Sequence, residues 1–427
     1  MNLALLLAAS AATILIAEGF LHVFRDAHGI AKIRYARLPS IWGPGDGLPW
    51  VLEPGAVGRH TDGYGEFDCE FSINSAGLRG DEIEPEKPAG HTRTLLLGDS
   101  VTVGWGVEQG ETFAARLQEL LNDDGPSLSD EPNAPRTQSG TSSAEGDAEA
   151  AVHDVLNCGW AAWNTTDGAY VFLRHRAEEL QPDLVVLCYF LNDAAELNPS
   201  WWRPEGAALP ETLRPDPGPS DARSRRLSLF DRGRIFLGQR SYLYNLVRER
   251  LAGKVRQLSR GSDLFTLERA LNGEYPASAV MLFTEEYAPQ VEERLALTER
   301  LFVAMDELCA ERDARFAVAI IPADFQVLEW KRERSGILPV VFHDQPYVTG
   351  KAQRVISGMC ERNGIPVLDL LPAFLERGAD AHFFAWDPHP TASGHALIAE
   401  ELAAFIEREG LLGTVVSESR SAGRNAR

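Results

Sequence analysis

Short apolar runs alternate with longer amphipathic stretches along most of the chain after residue 90. The apolar runs predict buried strands at 94–97, 151–156, 184–190, 316–321 and 366–370. Apolar residues at helical spacing predict helices at 112–121, 166–180, 290–312, 351–363 and 392–409. Strands that are apolar on both faces are typical of parallel sheets covered by helices. The pattern therefore predicts an α/β fold with a doubly wound parallel sheet.

The N-terminus has a different pattern. Residues 1–24 are almost wholly apolar, and about 20 apolar residues can cross a bilayer as a helix. They predict a membrane anchor or a signal sequence, and a buried helix of a soluble domain is the less favoured alternative. Basic residues follow at Arg25, Lys32, Arg34 and Arg37. By the positive-inside rule they favour a cytoplasmic location for the residues after them.

Further segments depart from the strand–helix rhythm. Residues 25–90 form a connecting region rich in glycine and proline, and alternation over 66–73 predicts a half-buried strand there. Within the main domain, 91–412, residues 123–150 contain almost no large apolar side chain and are predicted to be a disordered loop. Residues 194–290 form an insertion with helical patterning, and 413–427 form a polar tail.

The insertion contains a basic segment, 223–260, in an otherwise acidic chain. We interpret this segment as a solvated helical face, with contact to an anionic surface as the alternative. The formal net charge of the whole chain is −21 at pH 7. Such a charge repels phosphate backbones, so nucleic acid is not an expected partner. The five cysteines lie far apart and form no CxxC pair, so neither a disulfide framework nor a zinc site is predicted.

Polar residues with catalytic potential fall where the predicted strands end. Ser100 follows the first strand of the sheet, Gly159 the second and Asn192 the third. Asp387 and His389 lie in the loop before the last helix. Sites in open α/β sheets form where the C-terminal ends of the strands meet. Each residue alone is better explained as part of a turn or as a helix cap, but their order at successive strand ends favours a site.

The chemistry of these residues suits acyl transfer. A serine hydroxyl such as that of Ser100 needs a neighbouring base, and His389 could accept its proton while Asp387 orients the imidazole. An oxyanion could be bound by the N–H groups of Ser100 and Gly159 and by the Asn192 amide. Nearby tryptophans are explained equally well as pocket lining or as core: Trp105, Trp160 and Trp163.

Four sequence blocks resemble those of the GDSL/SGNH hydrolase family. The first family block is similar to TLLLGDSVTVGWGV at 94–107, with Ser100 at the nucleophile position. The second is similar to NCGWAAWNT at 157–165, with Gly159 at the oxyanion glycine. The third, usually Gly-x-Asn-Asp, is matched at Asn192 but lacks its glycine. The last resembles DPHPTASGHALIA at 387–399, with Asp387-x-His389 where many members have Asp-x-x-His.

This resemblance implies a flavodoxin-like three-layer αβα sandwich, ester or acyl-transfer chemistry and no cofactor. The short Asp-x-His spacing is similar to that of relatives that acetylate or deacetylate envelope polysaccharides. The segment FSINSAGLRGDE at 71–82 resembles one that precedes the first block in membrane-linked bacterial members. We therefore expect a serine esterase that acts on a small-molecule or glycan ester, held at the cell envelope with its catalytic domain outside the cytoplasm. An O-acyltransferase and a non-catalytic carbohydrate-binding scaffold are the alternatives.

Overall fold

The computed structural model describes most of the main domain and parts of the N-terminal region. The described residues are 3–24, 41–43, 51–62, 65–123, 152–159, 165–197, 243–244, 279–287, 289–328, 348–378, 381–385 and 387–413. The predicted loop at 123–150 lies outside them after its first residue. So do most of the insertion, all of its basic segment except 243–244, and the polar tail beyond residue 413.

The described residues of the N-terminal region form one helix and two small antiparallel sheets. The apolar terminus forms α1 (Leu3–Phe24), and β1 (Trp42–Gly43) pairs with β2 (Val51–Leu52). A hairpin follows, in which β3 (Val57–Thr61) pairs with β4 (Asp68–Ser72). The alternation over 66–73 correctly predicted β4, because Cys69 and Phe71 are buried while their neighbours face outward. No helix in the described part of the chain is long and apolar enough to cross a membrane. The envelope location stays a prediction.

The main domain is built on five parallel strands. They are β5 (His91–Gly98), β6 (Val152–Gly159), β7 (Leu184–Phe190), β8 (Arg315–Ile321) and β9 (Val367–Asp369). Their order across the sheet is β6-β5-β7-β8-β9, with every neighbouring pair parallel. This is the flavodoxin-like order, and its topological switch point lies beside β5, where such sheets form their sites.

Helices cover both faces of this sheet and complete three layers. In chain order they are α2 (Ser100–Val103), α3 (Phe113–Asn122), α4 (Thr166–Leu180), α5 (Asp193–Glu196), α6 (Pro289–Ala310), α7 (Asp324–Val327), α8 (Lys351–Arg362), α9 (Leu371–Arg377) and α10 (Ala392–Arg408). Buried residues of α4, α6 and α8 form one core with one face of the sheet, and those of α3, α9 and α10 form a second core with the other. The predicted fold class is therefore confirmed.

The observed ends of the strands and helices lie close to those predicted from the apolar periodicity, because the strands are buried and the helices are amphipathic. Strand β7 and helix α4 have the bounds predicted from the sequence. Strand β6 differs, since it continues to Gly159, three residues beyond the predicted end at 156. The apolar run stops earlier because Asn157 is polar, but its amide is buried and hydrogen-bonded, so the strand need not end there.

Candidate active site

Ser100 lies on a sharp turn between β5 and α2. It is the first residue of α2, and the side chain of Asp99 before it accepts a hydrogen bond from the Val101 N–H at 2.8 Å. This contact caps the helix. Gly98 has a φ of 156°, and a Cβ at this position would overlap the side chain of Thr102. The turn therefore requires glycine at 98, and it places Ser100 directly beyond the end of β5.

The base and its partner lie in the loop between α9 and α10. His389 Nε2 lies 2.8 Å from Ser100 Oγ, and His389 Nδ1 lies 2.5 Å from Asp387 Oδ1. The same carboxylate oxygen accepts the backbone N–H of His389 at 2.9 Å. With Nδ1–H donating to Asp387, Nε2 is left as the acceptor for the serine hydroxyl. The fold thus brings Ser100 and His389 together from positions 289 residues apart.

The two acidic residues at the site differ in their electrostatics. Burial opposes ionisation of Asp387, but the hydrogen bond and charge of His389 outweigh it and lower the pKa of the Asp387 carboxyl. Burial instead raises the pKa of Asp99, against the opposing hydrogen bond from the Val101 N–H. Asp387 is therefore the carboxylate suited to stabilise an imidazolium, while Asp99 serves as a helix cap.

The remaining predicted residues lie at the ends of the two strands that flank β5: Gly159 is the last residue of β6, and Asn192 lies just beyond β7. Asn192 is half-buried and directly precedes α5, two residues after β7 ends. The N–H of Gly159 donates to the Asn157 side chain at 3.1 Å, so this donor already has an acceptor. A Cβ at 159 would overlap backbone atoms of Thr102 and Val103 in α2. Glycine at 159 therefore lets β6 pack directly against α2.

An aromatic cluster packs against the base. The indole of Trp105 stacks on the His389 ring, with centroids 5.4 Å apart and an angle of 25° between the planes. The buried ring of His60 contacts Trp105 edge-on, with centroids 3.9 Å apart. Trp105 thus lies beside His389 and also packs on the core of the hairpin. The other two tryptophans, Trp160 and Trp163, lie outside the described residues.

Two charged residues that the sequence did not assign to the site also reach it. The Glu66 carboxylate accepts hydrogen bonds from the loop that contains Asp387, and the buried Arg79 guanidinium donates to the loop after α2. Neither residue follows a strand of the central sheet, so the criterion that selected the other site residues, a position at a strand end, could not find them. The resemblance of segment 71–82 to known proteins was a signal for Arg79, without indicating its role.

Comparisons with known proteins give a fold likeness at low identity. No protein-family model and no curated protein sequence matches the chain. Among solved structures, TesA is 13% identical, with 74% of this chain and 99% of that chain covered and a TM-score of 0.34. The acetyl xylan esterase AlAXEase is 11% identical, with 73% and 98% covered and a TM-score of 0.34. A GDSL-like lipase from Bacteroides thetaiotaomicron VPI-5482 is 10% identical, with 77% and 93% covered and a TM-score of 0.33. At these values the likeness carries no argument about activity.

Proposed function

We propose that this protein is a serine hydrolase that cleaves carboxylic esters through an acyl-enzyme on Ser100. The observation that supports it is one hydrogen-bond chain, in which Ser100 Oγ lies 2.8 Å from His389 Nε2 and His389 Nδ1 lies 2.5 Å from Asp387 Oδ1. A nucleophile, a base and an orienting acid in this order are what a serine hydroxyl needs for activation.

In the proposed reaction, Ser100 Oγ attacks the ester carbonyl carbon while His389 Nε2 takes the hydroxyl proton. The resulting tetrahedral oxyanion collapses, the bond to the alcohol breaks, and the imidazolium returns its proton to the leaving alkoxide. Water then attacks the acyl-enzyme with His389 again as base, which releases the carboxylic acid and restores the serine. The ionised Asp387 stabilises the imidazolium in both halves of the reaction.

The oxyanion needs donors that are in place before it forms. We assign this role to the backbone N–H of Ser100 and to the side-chain amide of Asn192, which follow the adjacent strands β5 and β7. Gly159, the third donor expected from the sequence, is the weaker candidate because its N–H donates to Asn157.

An O-acyltransferase is the second candidate, because a sugar hydroxyl can attack the same acyl-enzyme in place of water. The Asp387-x-His389 spacing, similar to that of relatives that act on envelope polysaccharides, favours an acetylated glycan as the ester. A non-catalytic carbohydrate-binding scaffold is less well supported, because such a scaffold has no need of three reactive groups within hydrogen-bonding distance.

The test is covalent labelling combined with turnover. Wild-type protein should react with a fluorophosphonate probe and hydrolyse p-nitrophenyl acetate, and Ser100→Ala should do neither while keeping its thermal unfolding temperature. Labelling that persists in Ser100→Ala would refute the nucleophile assignment. Addition of a glycan acceptor separates the two reactions, since only a transferase should release p-nitrophenol faster and form an acetylated glycan.

A further inference from the structure

The loop that contains the base has its two ends tied together. The Phe384 N–H donates to the His389 carbonyl oxygen at 3.1 Å, and the Thr391 N–H donates to that of His382 at 3.0 Å. These bonds set the shape of the loop, but they do not attach it to the turn of Ser100. A separate contact is needed to fix the distance between nucleophile and base.

Glu66 supplies such a contact from outside the sheet. Its Oε1 accepts the Ala385 N–H at 2.6 Å, and its Oε2 accepts the Asp387 N–H at 2.9 Å. One carboxylate therefore bonds to two backbone donors on the outer side of the loop. Hydrogen bonds to a charged acceptor are stronger than neutral ones, so this is a specific restraint on the backbone of Asp387.

The backbone of Glu66 is itself held by a side chain of the hairpin. The buried Asp62 side chain accepts the backbone N–H groups of Gly65 at 2.7 Å and Glu66 at 2.9 Å. The neighbouring Phe67 ring packs on Phe384 of the base loop, with centroids 5.1 Å apart. Glu66 thus reaches the base loop from a capped turn with apolar packing beside it.

The hairpin is fixed in turn to the end of α2 and the loop after it by Arg79, which follows the hairpin in the chain and donates to the Glu70 carbonyl oxygen of β4 at 3.0 Å. Arg79 is 2% exposed, and its guanidinium donates to the carbonyl oxygens of Val103 at 2.8 Å, Gly104 at 2.6 Å and Val107 at 2.7 Å. Its charge lies over the Phe71 ring of β4, 3.7 Å from the centroid. Burial lowers the Arg79 pKa to about 10, so the group keeps its charge at neutral pH.

Segment 71–82, singled out in the sequence, explains how Arg79 arrives there. The Asn74 side chain accepts the N–H groups of Ala76 at 3.0 Å and Leu78 at 2.9 Å, and Gly77 has a φ of 75°. This is a tight turn that needs asparagine and glycine at those places. It directs the chain so that Arg79 enters the interior beside α2.

We propose that Glu66 is a positioning residue, which holds the loop of Asp387 and His389 at Ser100 by linking that loop to a hairpin anchored on the nucleophile side by Arg79. The inference rests on the proposed hydrolase function for its catalytic consequence. Both of these contacts are hydrogen bonds from backbone N–H groups of the base loop, and through them Glu66 acts on the position of Asp387 and His389.

The test compares Glu66 with a carboxylate of the same hairpin. Glu66→Ala and Glu66→Gln are prepared in the full chain beside Glu70→Ala and Glu70→Gln, because Glu70 lies on β4 with an exposed side chain. For p-nitrophenyl acetate, Glu66→Ala should lower kcat by roughly 10- to 100-fold with KM changed less than about twofold, as expected for a displaced catalytic group. Glu66→Gln keeps one acceptor oxygen and should lose less. Both Glu70 variants should match wild type.

A second measurement does not depend on activity. Amide hydrogen exchange of the peptide that contains Ala385 and Asp387 should be roughly fivefold faster or more in Glu66→Ala, and unchanged in Glu70→Ala. Unchanged exchange would overturn the positioning role. Faster exchange with unchanged kcat would overturn its catalytic consequence. If wild type is inactive and unlabelled while exchange responds to Glu66, the proposed hydrolase function fails and the contact to the loop stands.

Discussion

The groups assigned to the chemistry and the groups that hold them come from two regions of the chain. Ser100 and Asn192 follow strands of the central sheet, and His389 lies in the loop before α10. Glu66 lies in the hairpin of β3 and β4, and Arg79 follows that hairpin. Both precede the sheet, and both bond to backbone atoms near Ser100 or His389. The sheet fixes where its strands end, but a loop beyond a strand needs bonds from elsewhere to hold a side chain in place.

The two regions also differ in how far the sequence predicts them. Ser100, Asp387 and His389 were predicted because a periodic pattern locates strand ends and those residue types have a known chemistry. Glu66 lies in a region predicted only as a connection with one strand, and its bonds cross 319 and 321 residues to reach the loop. Nothing local in a sequence encodes such a partner, since backbone N–H groups occur at nearly every position.

The largest expected effects lie in the first region. His389→Ala should lower kcat/KM for p-nitrophenyl acetate by at least about 10³-fold, because the proton acceptor is lost. Asp387→Asn should lower it strongly but by less, because it removes only the orienting and stabilising charge. Steady-state kinetics of both variants at pH 7 provide the measurement. If Asp387→Asn behaves like wild type, another acid must partner His389.

The next largest effect tests the proposed oxyanion donor Asn192. Asn192→Ala should lower kcat by about 10²- to 10³-fold with a smaller change in KM, because the amide is proposed to act on the developing oxyanion. Asn192→Asp is the matched variant of similar size, and it should be at least as impaired because a carboxylate repels an oxyanion. Wild-type kcat in Asn192→Ala would remove this residue from the catalytic group.

A substitution at Gly159 tests whether this residue takes part in the chemistry or supports the structure of the site. The sequence predicts that Gly159 donates to the oxyanion, whereas its contacts indicate a structural role in the packing of β6 against α2. Gly159→Ala should destabilise the fold by about 3 kcal/mol or more, because the added methyl overlaps the α2 backbone. Urea unfolding measures this, with Gly110→Ala as the control, since a Cβ there meets no atom within 4 Å. A variant with wild-type stability but low kcat would favour the oxyanion role instead.

The smallest effect concerns His60, which belongs to the hairpin and packs on Trp105 beside the base. The side chain is 1% exposed, and in the described part of the chain its Nδ1 has no hydrogen-bond partner. Burial lowers the His60 pKa to about 4, with the charge of Asp387 opposing. Between pH of about 6.5, the ordinary histidine pKa, and pH of about 4, His60 therefore binds a proton in the unfolded chain but not in the folded chain. Stability falls as the pH falls through this window and is regained as the pH rises.

By pH 5 the contribution of His60 should reach about 2 kcal/mol relative to pH 7. We expect His60→Leu to lose that much less stability than wild type between pH 7 and pH 5 in urea unfolding. A change in packing alters the free energy of unfolding equally at pH 7 and at pH 5. The difference between the two losses of stability therefore reports the titration of His60 alone. An equal loss in both proteins would contradict the prediction. His60 packs on Trp105, which in turn stacks on His389, but His60 takes no part in the proposed reaction. At pH 7, kcat should therefore change far less in His60→Leu than in His389→Ala. This is the distinction expected between a region that holds the site and one that reacts.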